Sequence, residues 1–273
     1  MAGNPIFVTI GRIFYGVSIS ALGFLTIYYR DFPYFLIPLK HAWISDHKII
    51  AYLFGTFLFL AGACIVFEKK LLMISLLLGS GLLLIFFFYF IPYQLFVSPD
   101  NMHFADWENA FKELALASGA LIIADYESNR NKNLLTVFWR KVLSLGAVIF
   151  PLTILSFGIN HFLYAKEAAG YVPSWIPNHL FWIYFAGVAL LGSSLAILLK
   201  IKVRLSAGLL GIMIFIWVVI LHIPYALAAP FAENGGEITS AFLALAYSGI
   251  AFSISGNPGP WPQITLSTDK SPI

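Results

Sequence analysis

The sequence predicts an all-α membrane protein in which eight transmembrane helices form two parallel-repeat four-helix bundles. The first observation is composition: 60% of the 273 residues are hydrophobic and 11% are charged, against about 45–50% and 25% in soluble domains. Eight spans of about 20 residues would take up a similar share of the chain. A single cysteine, Cys64, excludes a disulfide framework, and a net charge of +3 gives no sign of nucleic-acid binding.

The second observation is a series of uncharged segments long enough to cross a bilayer. Seven can be read directly, and a fourth span in chain order must lie within Trp107–Ala124. The first segment lacks the basic start and the cleavage site of a signal peptide, so we expect it to remain as a span. The seven segments are Ile13–Tyr29, Ile49–Phe67, Leu71–Ile91, Val142–Tyr164, Leu180–Leu199, Leu205–Tyr225 and Ile238–Ser255.

The third observation is internal similarity. The sequence Ile-Pro-Tyr-Gln-Leu at Ile91–Leu95 returns as Ile-Pro-Tyr-Ala-Leu at Ile223–Leu227, 132 residues later, and Gly23 matches Gly158 at an offset of 135. The pair Ser118-Gly119 returns near an offset of 130. Matched Pro and Gly in the same order indicate a duplicated unit. We therefore expect units at 1–126 and 142–256, a charged linker at 127–141 and a tail at 257–273.

The distribution of Lys and Arg predicts the orientation. Eleven of the 16 lie at the two chain ends or in the loops after helices two, four and six. Because positive loops stay inside, we expect both termini in the cytoplasm of a bacterial inner membrane. All six histidines then fall on the outer side: His41, His47, His103, His161, His179 and His222.

The fourth helix carries ionisable residues where a span is expected. Only 11 uncharged residues separate Glu113 from Asp125, which is too short a segment to cross a bilayer, so Lys112 and Glu113 must lie inside the span. Ionisable groups at such positions face a bundle interior or a wet cavity. Glu113 is a candidate proton-relay residue; the alternative is that Lys112 extends outward and Glu113 bonds a neighbouring helix.

Imidazoles in the second unit complement the acid of the first. Asn160 and His161 end helix five, and His222 precedes Pro224 and Tyr225 in helix seven. One interpretation is that the two units share a single outer cavity, as parallel repeats often do. The alternative is that each imidazole satisfies a carbonyl near its own helix end. We take Glu113, His161 and His222 as candidate catalytic residues.

The outer loop Ala168–Asn178 is apolar and contains two prolines. We expect it at the membrane interface, with Tyr171 and Trp175 at headgroup level, or folded as a lid over an outer cavity. Candidate substrate- or partner-binding residues are Lys112, Asn160, Tyr171, Trp175, His179 and Tyr225.

Two outer-loop clusters lack metal-ligand spacing, so no metal site is predicted. One comprises His41, Asp46 and His47, and the other comprises Asp100, His103, Asp106 and Glu108.

Several segments resemble the DoxX family of four-helix bacterial membrane proteins. They are Gly158–Leu163 (GINHFL), Val172–Leu191 (VPSWIPNHLFWIYFAGVALL) and, in the first unit, Lys112–Leu121 (KELALASGAL). The resemblance implies two tandem modules. Family members resemble subunits of a thiosulfate:quinone oxidoreductase or of other membrane redox complexes, and a distant animal branch resembles receptor-assembly chaperones. This chain has no Cys-x-x-Cys motif, so a thiol relay is excluded.

Two functional hypotheses follow from these features. The chain is a membrane subunit of a quinone-linked or periplasm-facing redox system, in which quinone is the candidate cofactor and a redox protein the candidate partner. The alternative is a non-catalytic scaffold or assembly chaperone that docks a partner on its outer face.

Overall fold

The computed structural model describes residues 4–33, 35–36, 48–98, 107–130 and 137–257. Every regular element in this part of the chain is helical. The eight long helices are α1 (Pro5–Tyr29), α2 (Lys48–Val66), α3 (Leu71–Phe96), α4 (Glu108–Arg130), α5 (Gly146–Leu163), α6 (His179–Leu198), α7 (Val203–Ala228) and α8 (Gly236–Gly256). Short helices at Val137–Ser144 and Ala165–Ala169 flank α5.

Seven of these helices are long and apolar enough to cross a membrane, and they coincide with seven of the expected segments. Helices α1, α3, α7 and α8 extend beyond the predicted uncharged runs, whereas α5 lies within its run. In α1, the Oδ1 atom of Asn4 accepts a hydrogen bond from the Ile6 N–H at 3.1 Å, and Pro5 occupies the first helical position.

The helices pack as a closed ring in chain order, from α1 against α2 round to α8 against α1, and α4 also contacts α8 across the centre. The two chain ends of the described part lie at one end of the bundle, where a Cβ on Gly256 would lie 2.8 Å from the Asn4 carbonyl oxygen. The turns between α2 and α3 and between α6 and α7 lie at that same end, since each helix reverses direction. We call it the termini end, and the opposite end the loop end.

The centre of the bundle is built from small residues of α4 and α8. In each helix 14 residues are buried, more than in any other described helix, and Ala, Ser and Gly are frequent among them. Gly249 of α8 meets Gly11 of α1 so closely that a Cβ on Gly249 would lie 2.6 Å from the Gly11 carbonyl oxygen. Small side chains therefore let these backbones approach closely.

Prolines Pro92 and Pro224 each follow a π-helical turn, at Phe86–Phe90 in α3 and Val218–His222 in α7. The backbone N–H of Ile91 bonds the Phe86 carbonyl and that of Ile223 bonds the Val218 carbonyl. Because proline has no N–H to donate, this local change of register absorbs the interruption without ending the helix.

Candidate functional site

Glu113 lies in α4, five residues after its first residue, and its side chain is completely buried. Within the described residues neither carboxyl oxygen has a hydrogen-bond partner. Burying an unpaired carboxylate is costly, so such a group normally carries a proton or meets a polar ligand. Glu113 is therefore the least satisfied ionisable group of the described bundle interior.

Glu113 faces the interior of helices α1 to α4. Ala110 packs with Phe86 and Phe90 of α3, and the Ala117 carbonyl oxygen would lie 3.5 Å from a Cβ on Gly79 of the same helix. Glu113 comes three residues after Ala110 and four before Ala117, so it shares their helix face. Glu113 therefore lies on the face of α4 that packs against α3.

Tyr89 is a second unsatisfied polar group at this level of the first half. Its hydroxyl is buried without a hydrogen-bond partner among the described residues, and its ring stacks on Tyr93 at 6.4 Å. It lies between Phe86 and Phe90, which pack against α4. Tyr89 is not among the residues predicted from the sequence, because it stands in an aromatic run, Phe86–Phe90, where one more ring does not stand out as polar.

Lys112 presents its side chain on a different face of α4 from Glu113, since successive helical residues differ by about 100°. Its Nζ atom lies 2.9 Å from Glu108 Oε1 and 3.2 Å from Asn109 Oδ1. Its carbonyl accepts a hydrogen bond from the hydroxyl of Tyr247 in α8 at 3.3 Å. The backbone of Lys112 thus belongs to the contact of α4 with α8, and its side chain pairs with Glu108 on its own helix.

Asn160 and His161 lie at the loop end of α5. The Nδ1 atom of His161 bonds the Phe157 carbonyl of its own helix at 2.8 Å, and the Phe157 ring lies 5.8 Å from that of Tyr247. Asn160 is buried, and neither atom of its amide has a partner among the described residues. Lys112 and the end of α5 therefore meet through Tyr247, which is not among the residues predicted from the sequence.

The remaining candidates gather at the loop ends of α6 and α7. Val172 and Ile176 are buried in a cluster with Ile183 of α6 and hold the loop after α5 against these helices. Tyr171 and Trp175 remain 60% and 70% exposed. The ring of Tyr171 lies 6.5 Å from that of Tyr225, close to His222, while His179 begins α6 and is half-buried.

The contacts thus divide the sequence-predicted residues among three places: the interior of helices α1 to α4, the meeting of α4, α5 and α8, and the loop ends of α6 and α7. Glu113 hydrogen-bonds neither His161 nor His222 in this structure. No group of His, Cys, Asp and Glu able to hold a metal occurs among the described residues. The predicted clusters at His41, Asp46 and His47, and at Asp100, His103 and Asp106, lie outside the described residues.

At the termini end, Arg12 is buried in α1 and binds the last turn of α2. Its guanidinium donates to the carbonyls of Ile65 and Val66, and it lies 2.7 Å from Glu68 in the turn that follows. The C-terminal carbonyls of a helix favour a positive charge, so this contact holds α1 and α2 in register.

The outward faces of the long helices are apolar. Phe88, Leu53 and Phe96 are 77%, 70% and 83% exposed, as suits side chains that face lipid and not water. These features define a multi-pass helical membrane protein. No family model, curated protein or solved structure matches the chain.

Proposed function

We propose that the chain forms eight membrane spans as two tandem DoxX-like units in a bacterial inner membrane, with both termini cytoplasmic. The contact pattern supports a duplication, because each contact in the first half has a counterpart four helices later. The pairs α1–α2, α2–α3 and α3–α4 match α5–α6, α6–α7 and α7–α8, α4–α5 matches α8–α1, and the α4–α8 pair matches itself. The two π-helical turns, 132 residues apart, support it as well. So do the turns after α2 and α6, where Glu68 and Lys70 match Lys200 and Lys202 in left-handed backbone conformation.

In this proposal α4 also crosses the membrane, which brings the number of spans to eight, although α4 is less apolar than the other seven helices. Hydropathy measures the preference of a segment for lipid. Helix α4 contacts α3, α5 and α8 on different sides, so most of its surface meets protein and not lipid. A helix enclosed by protein needs small residues more than apolar ones. Its 23 residues give a length of about 34 Å at about 1.5 Å per residue, enough to cross a hydrocarbon core of about 30 Å.

The proposed activity is that of an integral membrane subunit in a quinone-linked or periplasm-facing redox system, in which Glu113 exchanges protons. The observation that carries it is the fully buried carboxyl of Glu113 without a hydrogen-bond partner in the described bundle. Quinone reduction consumes two electrons and two protons. A redox partner would supply the electrons, and Glu113 would pass on one of the two protons and then be reprotonated from water, while the second proton would come from water directly. Tyr89 of α3, whose hydroxyl is buried without a hydrogen-bond partner among the described residues, is the candidate second polar contact.

The test compares Glu113→Gln with Glu108→Gln, a matched change at a half-buried, ion-paired position of the same helix. Quinone would be extracted from purified protein, and quinone reduction would be followed in membranes with and without the chain. We expect bound quinone in the wild type, and a loss of about 100-fold or more in reduction rate for Glu113→Gln at normal yield. Glu108→Gln should behave as the wild type. Absence of quinone, with equal reduction whether or not the chain is present, would overturn this role.

A scaffold that docks a partner on the loop end is the second candidate function. Its support is the loop after α5, which is anchored by buried Val172 and Ile176 yet presents Tyr171 and Trp175 to solvent or headgroups. Cross-linking in membranes should recover a partner protein, and the double change Tyr171→Ser with Trp175→Ser should abolish recovery. Phe231→Ser, at another exposed aromatic of the loop end, is the control. Equal recovery with the double variant would reject this docking surface.

A further inference from the structure

A cavity of about 160 Å³ opens at the termini end of the second half. Its polar lining comes from four separate segments: Asp125 of α4, Ser144 before α5, Lys200 in the turn between α6 and α7, and Asn257 after α8. Apolar side chains complete the wall, namely Ile122, Leu143, Ala147, Val148 and Ile254. At about 30 Å³ per water the space holds about five waters, enough for a small polar group.

The corresponding place in the first half is filled by the chain itself. At the offsets of the proposed duplication, Arg12 corresponds to Ala147 and Glu68 to Lys200. The void beside Arg12 is only about 10 Å³, because the guanidinium occupies the space and pairs with Glu68. In the second half alanine leaves that volume open.

The charged residues around the open cavity also differ from those around Arg12 in the first half. The acidic residue of the cavity is Asp125, which is 7% exposed and whose Oδ2 accepts a hydrogen bond from Asn129 at 3.3 Å. The base is Lys200, at the exposed rim. A ligand with a single charge would meet one like charge, whereas a ligand carrying both signs could place its cation beside the buried acid and its anion toward the exposed base.

We propose that this cavity binds the head group of a phospholipid with a primary ammonium, phosphatidylethanolamine. The ammonium lies against the buried Asp125 carboxylate, which accepts its hydrogen bonds, and the phosphate lies toward the exposed Lys200 at the rim. Val148 lines the cavity and is 40% exposed on the apolar helix surface, which gives the lipid chains a path outward. A quaternary ammonium is bulkier and has no N–H to donate, so phosphatidylcholine fits less well.

Native mass spectrometry of the full-length protein in detergent tests this assignment. After incubation with equal amounts of phosphatidylethanolamine, phosphatidylcholine and phosphatidylglycerol, we expect one molecule of the first to be retained at least about tenfold more than either competitor. Ala147→Leu, which fills the cavity, and Asp125→Asn should each remove this preference. Lys200→Gln should weaken it, whereas Lys202→Gln, in the same turn but outside the cavity lining, should not.

Equal retention of the three lipids by the wild type would overturn the proposal, as would an unchanged preference in Ala147→Leu. Soluble O-phosphoethanolamine carries the same charges without acyl chains; if it bound as tightly as the lipid, the lipid assignment would be wrong. The inference uses the proposed correspondence of the two halves and not the redox role. Glu113→Gln should therefore keep the lipid preference even if it abolishes activity, so the two proposals can fail separately.

Discussion

The hydroxyl of Tyr15 in α1 donates a hydrogen bond to the backbone carbonyl of Leu116 in α4 across 2.7 Å, and both residues are buried. The ring of Tyr15 also lies against Gly119, where a Cβ would come within 2.5 Å of its Cε2 atom. One aromatic side chain thus sets the distance between the first and fourth helices, and with it the interior that Glu113 faces.

Replacing Tyr15 by Phe tests the hydrogen bond without changing the ring. We expect a loss of about 1–2 kcal/mol in the free energy of unfolding, because the hydroxyl contributes a buried bond and its removal leaves a small void. Thermal unfolding in detergent measures the effect. Tyr28→Phe, at a 57% exposed position of the same helix, should change little. Equal stability of the two variants would show that the bond contributes nothing.

Gly119→Ala tests the close approach of α4 to α1 and α8. The added methyl would lie 2.5 Å from the Tyr15 ring and 2.7 Å from Ile250, so we expect a loss of about 1–3 kcal/mol or misfolding. Gly81→Ala is the matched control, because nothing lies within 4 Å of its Cβ position. That change should be neutral or stabilise the helix by up to about 1 kcal/mol. A well-folded Gly119→Ala protein with wild-type stability would contradict the packing.

Arg12→Met keeps the aliphatic stem and removes the guanidinium that binds the last carbonyls of α2. The expected cost is about 1.5–3 kcal/mol, as for hydrogen bonds to a charged donor. Glu68→Gln should cost less, about 0–1 kcal/mol, because the Glu68 side chain is 50% exposed. Unfolding by denaturing detergent ranks the two variants. If Glu68→Gln proved the more damaging, the carbonyl contacts would not be the main role of Arg12.

Single cysteines in a Cys64→Ala background test the eight-span topology. An impermeant thiol reagent applied to intact cells should label Ser98→Cys, Lys166→Cys and Glu233→Cys, and should label Lys69→Cys and Lys141→Cys only after the membrane is opened. Reporter fusions at 132 and 203 should likewise report the cytoplasm. The pair Ser98 and Lys141 is decisive for α4, because labelling of both from the same side would mean that α4 does not span the membrane.

Part of the candidate site was predictable from residue type alone. The position of Glu113 inside a helix followed from the shortness of the uncharged run, and the structure buries it. Its direction did not follow, since Lys112 and Glu113 are adjacent and only neighbouring helices decide that one meets α8 and the other faces α3. Tyr89 and Tyr247 were missed for a related reason: in an apolar helix, the sequence does not show which neighbouring helix a tyrosine hydroxyl faces.

The sequence by itself determined the helices, because long uncharged runs bounded by charge, Pro and Gly leave few alternatives in a bilayer. It also marked Pro92 and Pro224 as equivalent, and each follows a π-helical turn. Only the tertiary structure decided that Arg12 turns inward to cap α2 and that α4 and α8 form the centre. The physical reason is that lipid and the protein interior are equally apolar, so the buried and lipid-facing sides of a helix have similar hydrophobicity. The sequence therefore shows little periodic pattern that would identify which face meets which neighbour, and side-chain packing decides it.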